Sequence, residues 1–552
     1  MRKLFSIKSF MLSLALLGNV SCAQAGNAAV DAAALIPVDP SPATIAVAQS
    51  PNFITVEGAD LNAKLTAAGT RARAGNTRTP YWSAYAFDVR PGIAVDLAGG
   101  EFHGTLNSSG GTNVFVGTSN GMTVETRNLA VFLLREVNAS GAVSRMEIYN
   151  LERKREYSGY PVYWLGRAGN EESLNFLRGL AEAASPAATG NTNLINQHAV
   201  LAIGLHDDAR VGAMLKTFAR SSTNSKARST AVYWLGQVGG ETAFLADIVR
   251  NETEKSDLRR QAAHAIGASR DRAALSTLQS LYDGMAQADA KPQREVKRGI
   301  IHAVAGNENK EGAATFLLKV AKTDADRESR RAAVHSLGEV GRESVIDDLM
   351  SIFASDQDVD VRRHVLHALS ELKTPRAQAK LLEVARTGDH PDLRRHAIHV
   401  LAEKENEATH DELIKLYDTE QNTDVRRHLL HAFAEMKSTR AEDKLFAIAR
   451  GSSGSADLRR QAIHVIGERV GKRSLDLLQE TVESSSAEAQ VQMQAVHAIS
   501  ERPADEAVPL LIRIARTHPN RQVRRRAIQV LGESGDARAL EFFREVLSSE
   551  KK

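Results

Sequence analysis

Between Arg331 and Glu533 one phrase returns every 32 or 33 residues, and few folds accommodate such a period. Written out it reads RRAAVHSLGE, RRHVLHALSE, RRHAIHVLAE, RRHLLHAFAE, RRQAIHVIGE, VQMQAVHAISE and RRRAIQVLGE. Val361, Val365, Ala368 and Leu369 fall on one face of a 3.6-residue helix, so each phrase predicts an amphipathic helix. A chain of 552 residues is too long for one ordinary core, and the period selects a stacked array over several globular domains.

With the recurring histidine as ruler, the equivalent positions are Tyr163, Leu201, Tyr233, His264, His302, His335, His367, His399, His431, His464, His497 and Gln529. They predict about twelve helix pairs over residues 157–552, with insertions at SPAATGNTN and GMAQADAKPQ. In one unit TPRAQAKLLEVARTG reads as the first helix and Asp392 to Lys404 as the second. Asp257, Asp360, Asp392, Asp424 and Asp457 stand where second helices begin and are expected as N-caps, each worth about 1 kcal/mol. At the far end, Leu540, Phe543 and Leu547 are expected to face inward and close the array.

Ahead of the array the character changes three times. Residues 1–25 have a basic start, an apolar run from Phe10 to Leu17 and Ala23-Gln24-Ala25, the layout of a secretory leader cut after Ala25. Periplasmic or secreted localisation follows as the expectation. The one cysteine, Cys22, is not expected to carry a lipid anchor, because Asn19 stands where an acylation motif wants an apolar residue. Removing the leader takes away Arg2, Lys3 and Lys8 and leaves 67 basic and 67 acidic residues, so no net charge draws the chain to nucleic acid or anionic lipid. Residues 26–79, poor in large apolar side chains, read as a flexible tether with one short helix from Asp60 to Ala68. Residues 80–156 alternate aromatic and β-branched runs with Gly-Gly, Asn-Gly and Ser-Gly turns, and predict a small antiparallel β domain. The loop GTLNSSGGTN lacks the strand-loop-helix setting and Lys-Ser/Thr of a phosphate loop and reads as a turn. No later run is long and apolar enough to span a membrane.

An arginine stands four residues before most column histidines and a glutamate four after. Arg331, His335 and Glu339; Arg363, His367 and Glu371; Arg395, His399 and Glu403; Arg427, His431 and Glu435; and Arg460, His464 and Glu468 each share a helical face. That stripe lies roughly 150° from the apolar face and points away from the core. It has two readings, a stabilising ladder of charge pairs and a groove for a peptide or protein partner. If the imidazoles titrate near their ordinary value of about 6.5, mild acid charges the groove.

The signature D-[VL]-R-R-x-x-x-x-[AV]-[LI], as in DVRRHVLHAL at Asp360 and DLRRQAIHVI at Asp457, resembles the HEAT repeat family, in particular its short bacterial, phycobilin-lyase-like variety. The resemblance implies a mainly α fold, a right-handed α-α superhelix whose second helices line the concave side, which puts the stripe in the groove. It also resembles secreted bacterial HEAT-repeat proteins, and implies an exported, non-enzymatic interaction scaffold without a cofactor. The alternative is a metal-binding or metal-dependent HEAT-like enzyme of the cell envelope. His364 with His367, His396 with His399, and His428 with His431 supply imidazoles for it, yet a ladder spreads its ligands along an axis. Deoxyhypusine hydroxylase, a HEAT-like di-iron enzyme, uses His-Glu dipeptides, and this sequence has none. No hydrolase elbow, P-loop or zinc-finger spacing occurs.

Overall fold

The computed structural model describes residues 53–75, 79–96, 114–116, 123–125, 127–137, 142–151, 157–183, 190–285, 290–404, 406–451, 455–468, 471–485 and 487–549. The leader, Cys22, residues 26–52 of the expected tether and the loop at 104–113 lie outside them. The chain divides into two compact units, Met1–Asn309 and Lys310–Lys552.

The first unit opens with β1 (Phe53–Thr55), α1 (Leu61–Ala74), β2 (Tyr81–Ala86), β3 (Ile93–Asp96), β4 (Val114–Val116), β5 (Thr123–Glu125), β6 (Leu129–Arg135), β7 (Val143–Asn150) and β8 (Val162–Arg167). Five strands form a sheet in the order β1-β8-β2-β6-β7, and β4-β3-β5 form a second. The larger sheet is mixed where an antiparallel one was expected: β8 runs parallel to both β1 and β2, while β2, β6 and β7 are antiparallel. One face carries an aromatic core of Trp82, Phe132 and Tyr149 with Phe53, Tyr157 and Trp164 packed on it. On the other, Tyr81 meets Tyr163 edge-on at 5.4 Å beneath α1, which packs on β2 and β8. The sheet therefore draws β1, and α1 beside it, from the stretch expected as tether, and β8 from the stretch expected as the first helical unit. The short helix expected at Asp60–Ala68 is α1, capped by the Asp60 carboxylate on the Ala63 N–H at 2.7 Å and running on to Ala74.

Helices follow in antiparallel pairs. In the first unit these are α2 (Asn170–Glu182) with α3 (Gly190–Leu205), α4 (Val211–Ser221) with α5 (Ser225–Val238), α6 (Thr242–Arg250) with α7 (Ser256–Gly267), and α8 (Ala274–Asp283) with α9 (Lys291–Ala305). In the second they are α10 (Lys310–Thr323) with α11 (Arg327–Val340), α12 (Ile346–Ser355) with α13 (Val359–Leu372), α14 (Pro375–Thr387) with α15 (Pro391–Ala402), α16 (Glu407–Thr419) with α17 (Thr423–Glu435), α18 (Thr439–Arg450) with α19 (Ala456–Gly467), α20 (Lys472–Glu483) with α21 (Ala489–Ser500), and α22 (Ala504–Thr517) with α23 (Arg521–Glu533). A lone α24 (Ala537–Ser549) comes last. Among the described residues that makes eleven pairs where about twelve were expected, because Tyr163 lies in β8. The second helices of each unit touch in succession, α3 to α9 in the first and α11 to α23 in the second. Between the layers Val361, Val365 and Leu369 of α13 and Leu381 and Ala385 of α14 are buried.

The caps differ from expectation by two residues. Asp358 accepts from the Asp360 and Val361 N–H groups at 2.8 and 3.2 Å, and Asn422 accepts likewise from Asp424 and Val425 at 2.9 and 3.2 Å. Asp360 and Asp424 thus sit inside the first turn, where their carboxylates are left for another partner. At the far end α24 turns Ala539 and Phe542 inward, and Leu540 and Leu547 are exposed, contrary to the expected cap.

Candidate functional site

The RR doublet that opens α11, α13, α15, α17 and α19 divides its guanidiniums between two surfaces. The first arginine points inward. Arg394 donates from Nε to the Ala385 carbonyl at 3.0 Å, at the end of α14, and pairs through Nη2 with Glu420 of the next unit; both side chains are nearly buried. Arg330 pairs in the same way with Asp356 at 2.8 Å and with the Asp324 carbonyl at 3.1 Å, and Arg459 with Glu488 at 2.7 Å and the Gly451 carbonyl at 3.0 Å. Arg362 reaches Asp389 at 2.8 Å. Arg330, Arg394 and Arg459 each close the carbonyl end or the loop of their own pair and reach an acid in the following one, whereas Arg362 lies over the Phe353 ring of its own pair and reaches the acid alone. Sequence reasoning missed this set, although an acid 26 residues after Arg330 and after Arg394 was there to be read.

The second arginine points outward and is satisfied within its own helix. Arg331 donates to Glu328 at 2.9 Å, Arg363 to Asp360 at 2.7 Å and Arg427 to Asp424 at 2.6 Å; Arg395 pairs with Asp392 and Arg460 with Asp457. The carboxylates expected as caps are therefore the arginines' partners. Arg427 also reaches Asp457 of the next unit at 3.1 Å. The column histidines meet their glutamates more loosely: His335 to Glu339 is 3.6 Å, His399 to Glu403 3.3 Å, and His464 to Glu468 3.9 Å. Along the stripe several contacts cross from one helix pair to the next. His399 lies 3.5 Å from Glu435, Lys404 donates to Glu371 at 3.2 Å, Gln461 lies 2.8 Å from His431, and the rings of His335 and His367 are 6.0 Å apart. Column rings from His335 to His464 are half-buried or exposed, so the stripe leaves the core as expected.

A second file of imidazoles, His364, His396 and His428, sits three residues before the column. The His364 Nδ1–H donates to the Asp360 carbonyl at 2.7 Å, which leaves Nε2 to accept from Arg331 at 3.3 Å and fixes a neutral ring. Partial burial, and next the arginine of the preceding unit, push His396 and His428 down to about 4; His364 moves the same way. His367 is lowered too, by crowding around a ring that is still open to solvent. The expected charging in mild acid therefore does not extend to these four. Guanidiniums beside the imidazoles also repel a metal cation, and among the described residues no three His, Asp or Glu side chains converge to hold one.

In the first unit the same sequence pattern recurs at Arg260, His264, Arg298 and His302, which with Asp257 and Glu295 line a cleft of about 400 Å³ between α7 and α9. Gly299 stands where α13 and α15 carry His364 and His396, and a Cβ there would lie 2.7 Å from the Arg260 Cγ. The missing side chain leaves room for Arg260 to pack against α9.

Residues 314–402, 410–489 and 482–552 match HEAT repeats. No curated protein matches the chain. Among solved structures, the CpcE–CpcF complex of phycocyanin lyase from Nostoc sp. is similar at 19% identity over 42% of this chain and 92% of that one, with a TM-score of 0.24. Human deoxyhypusine hydroxylase is similar at 17% identity over 53% and 96%, TM-score 0.22. The karyopherin Kap121p bound to Nup53p is similar at 13% identity over 69% and 47%, TM-score 0.36. No described helix is long and apolar enough to cross a membrane.

Proposed function

Residues 314–402, 410–489 and 482–552 of this chain are HEAT repeats, and from that premise we infer that it is an exported scaffold holding a peptide or protein partner along the Arg-His-Glu stripe of its second helices. The split of the RR doublet carries the reading. Neighbouring pairs are tied by the inward arginines, Arg330, Arg362, Arg394 and Arg459. The outward ones are mostly neutralised inside their own helices, so the fold has little use for them. An exposed helical pair stabilises by only about 0.2–0.5 kcal/mol. What the stripe offers instead is a regular row of donors and acceptors facing solvent, suited to the backbone and polar side chains of an extended ligand. Burial lowers the His367 pKa, and its imidazole when neutral both donates and accepts at one site.

Panning a displayed library of random peptides on the full chain tests the reading. Peptides enriched on the wild type are expected to be lost when His367, His399 and His431 are all replaced by Ala, with helicity unchanged by circular dichroism. Retention of the same peptides by the triple variant sinks the stripe as the binding surface. Export rests on the leader layout, and it predicts that protein recovered from the periplasm of a bacterial host begins at Gly26 by intact mass. A cytoplasmic product that still carries Met1 contradicts it.

A further inference from the structure

The cleft between α7 and α9 differs from its counterparts in the second unit. There the residue three places before the column reaches back to the preceding second helix in α13 and α19: His364 Nε2 accepts from Arg331 at 3.3 Å, and Gln461 Nε2 lies 2.8 Å from His431 Nε2. Gly299 holds that place in α9 and can make no such bridge. Arg260 packs its stem beside Gly299, and a space of about 400 Å³ stays between the two helices.

Its polar groups stand in layers. Asp257 and Glu295 lie nearest the helix N-termini, Arg260 and Arg298 three residues on, and His264 and His302 four residues further, so acids and imidazoles are about 10 Å apart along the helices. Close approach of Arg260 to Gly299 and of Gly267 to Ala303 keeps the layers of α7 and α9 in register. Crowding, and next the positive charge of Arg260, lower His264, whose ring is open to solvent. The imidazole end is therefore the place for an anion. With the rings neutral, two arginines balance two acids, so the lining suits a single negative charge rather than the larger one of a phosphate. Among the described residues no apolar side chain lines the cleft, which favours a hydroxylated body over a hydrocarbon one.

We propose that this cleft binds a small hydroxylated carboxylate of the sugar-acid kind. Arg260, Arg298 and the imidazole N–H groups donate to the carboxylate, and Gln261 and the two acids take the hydroxyls. The site lies in the first unit and does not rest on the stripe's binding a peptide.

Gluconate is the probe. Sorbitol, which lacks the carboxylate, and hexanoate, which lacks the hydroxyls, are the controls. Isothermal titration calorimetry on the full chain is expected to show saturable binding of gluconate and at least about tenfold weaker binding of either control. Arg298→Gln is expected to weaken gluconate by a similar factor with helicity unchanged by circular dichroism. The Asp257 side chain is 82% exposed and pairs with Arg260, so Asp257→Asn is expected to release that guanidinium and tighten gluconate binding, a gain that damage to the fold does not produce. Absence of saturable gluconate binding overturns the proposal, as does equal binding of sorbitol or hexanoate. Inorganic phosphate bound more tightly than gluconate, or an Asp257→Asn variant that binds no better than the parent, overturns it too.

Discussion

Arg394 and Arg395 are neighbours in sequence and differ in almost everything a mutation reads. The Arg394 side chain is 12% exposed and its partner Glu420 7%, so truncation leaves a buried carboxylate without its counter-charge, though still accepting from the Asn422 N–H, and a buried carbonyl without its side-chain donor. Arg394→Met is expected to cost about 3 kcal/mol. Arg395→Gln gives up a half-exposed pair within one helix and is expected to cost no more than about 0.5 kcal/mol. Urea titrations of the two variants, followed by circular dichroism, separate them, and equal losses contradict the assignment of inward and outward roles. The histidines set a pH dependence of known sign. His396 and His428 titrate at about 4 in the folded chain and at about 6.5 once unfolded. The unfolded chain therefore takes up the proton first. Their contribution is complete above about pH 6.5 and is lost as pH falls toward 4. The midpoint of thermal unfolding is expected to drop across that window, and His396→Gln with His428→Gln to flatten the drop. An unchanged slope in the double variant assigns the acid sensitivity elsewhere.

Among the elements, the same four letters fold two ways. Tyr233-Trp234-Leu235-Gly236 lies in α5 behind Asn224, which caps the helix by accepting from the Lys226 and Ala227 N–H groups at 3.0 and 3.3 Å. Tyr163-Trp164-Leu165-Gly166 is β8, held between β1 and β2, and Gly166 takes a φ of 75° that a helix does not admit. Periodicity alone could not tell them apart, because the pairing of β8 is set by strands about 80 to 110 residues away in sequence. The capping acids were misplaced for a local reason. An Asp at the second or third helical position matches the compositional signal of an N-cap, and only the guanidinium three residues on decides where its carboxylate turns. Where the sheet meets α2 and α3, a buried chain of hydroxyls was not foreseen at all. Tyr85 Oη lies 3.1 Å from Ser173 Oγ, and Ser173 Oγ 2.8 Å from His206 Nε2. His206 Nδ1–H donates to the Ala202 carbonyl at 2.6 Å, and the ring stacks on Phe87. Burial holds His206 down to about 4 and therefore neutral, with Nε2 the acceptor of the Ser173 hydroxyl. Ser173→Ala strands both Tyr85 Oη and His206 Nε2 and is expected to cost about 1–3 kcal/mol, more than Tyr85→Phe, which removes one end of the chain. If Tyr85→Phe is the costlier change by calorimetry, the serine is not the bridge.

For the whole molecule, the 32-residue period was legible because every unit repeats the same burial problem: one apolar face needs the next unit to cover it. What the period could not reveal was which polar groups join unit to unit, since stripe and joint are both written in arginine and differ only in the direction of the side chain. The distinction has a consequence for the length of the array. Removing residues 373–404 deletes one full period and joins Leu372 directly to the residue that opens the following unit. Arg362 then stands 26 residues before Glu420, the separation that Arg330 and Asp356 already use, and Val365 and Leu369 meet the same kind of first helix. The shortened chain is expected to fold with its remaining repeats intact and a thermal midpoint within a few degrees of the parent, because one neighbour contact is lost and no joint is left open. Removing residues 373–388 instead deletes α14 alone. It sets a second helix where a first is needed and strips Arg394 of the Ala385 carbonyl, so loss of cooperative unfolding is expected. If both deletions unfold alike, the inward arginines are not interchangeable joints, and the stack is held by contacts particular to each unit.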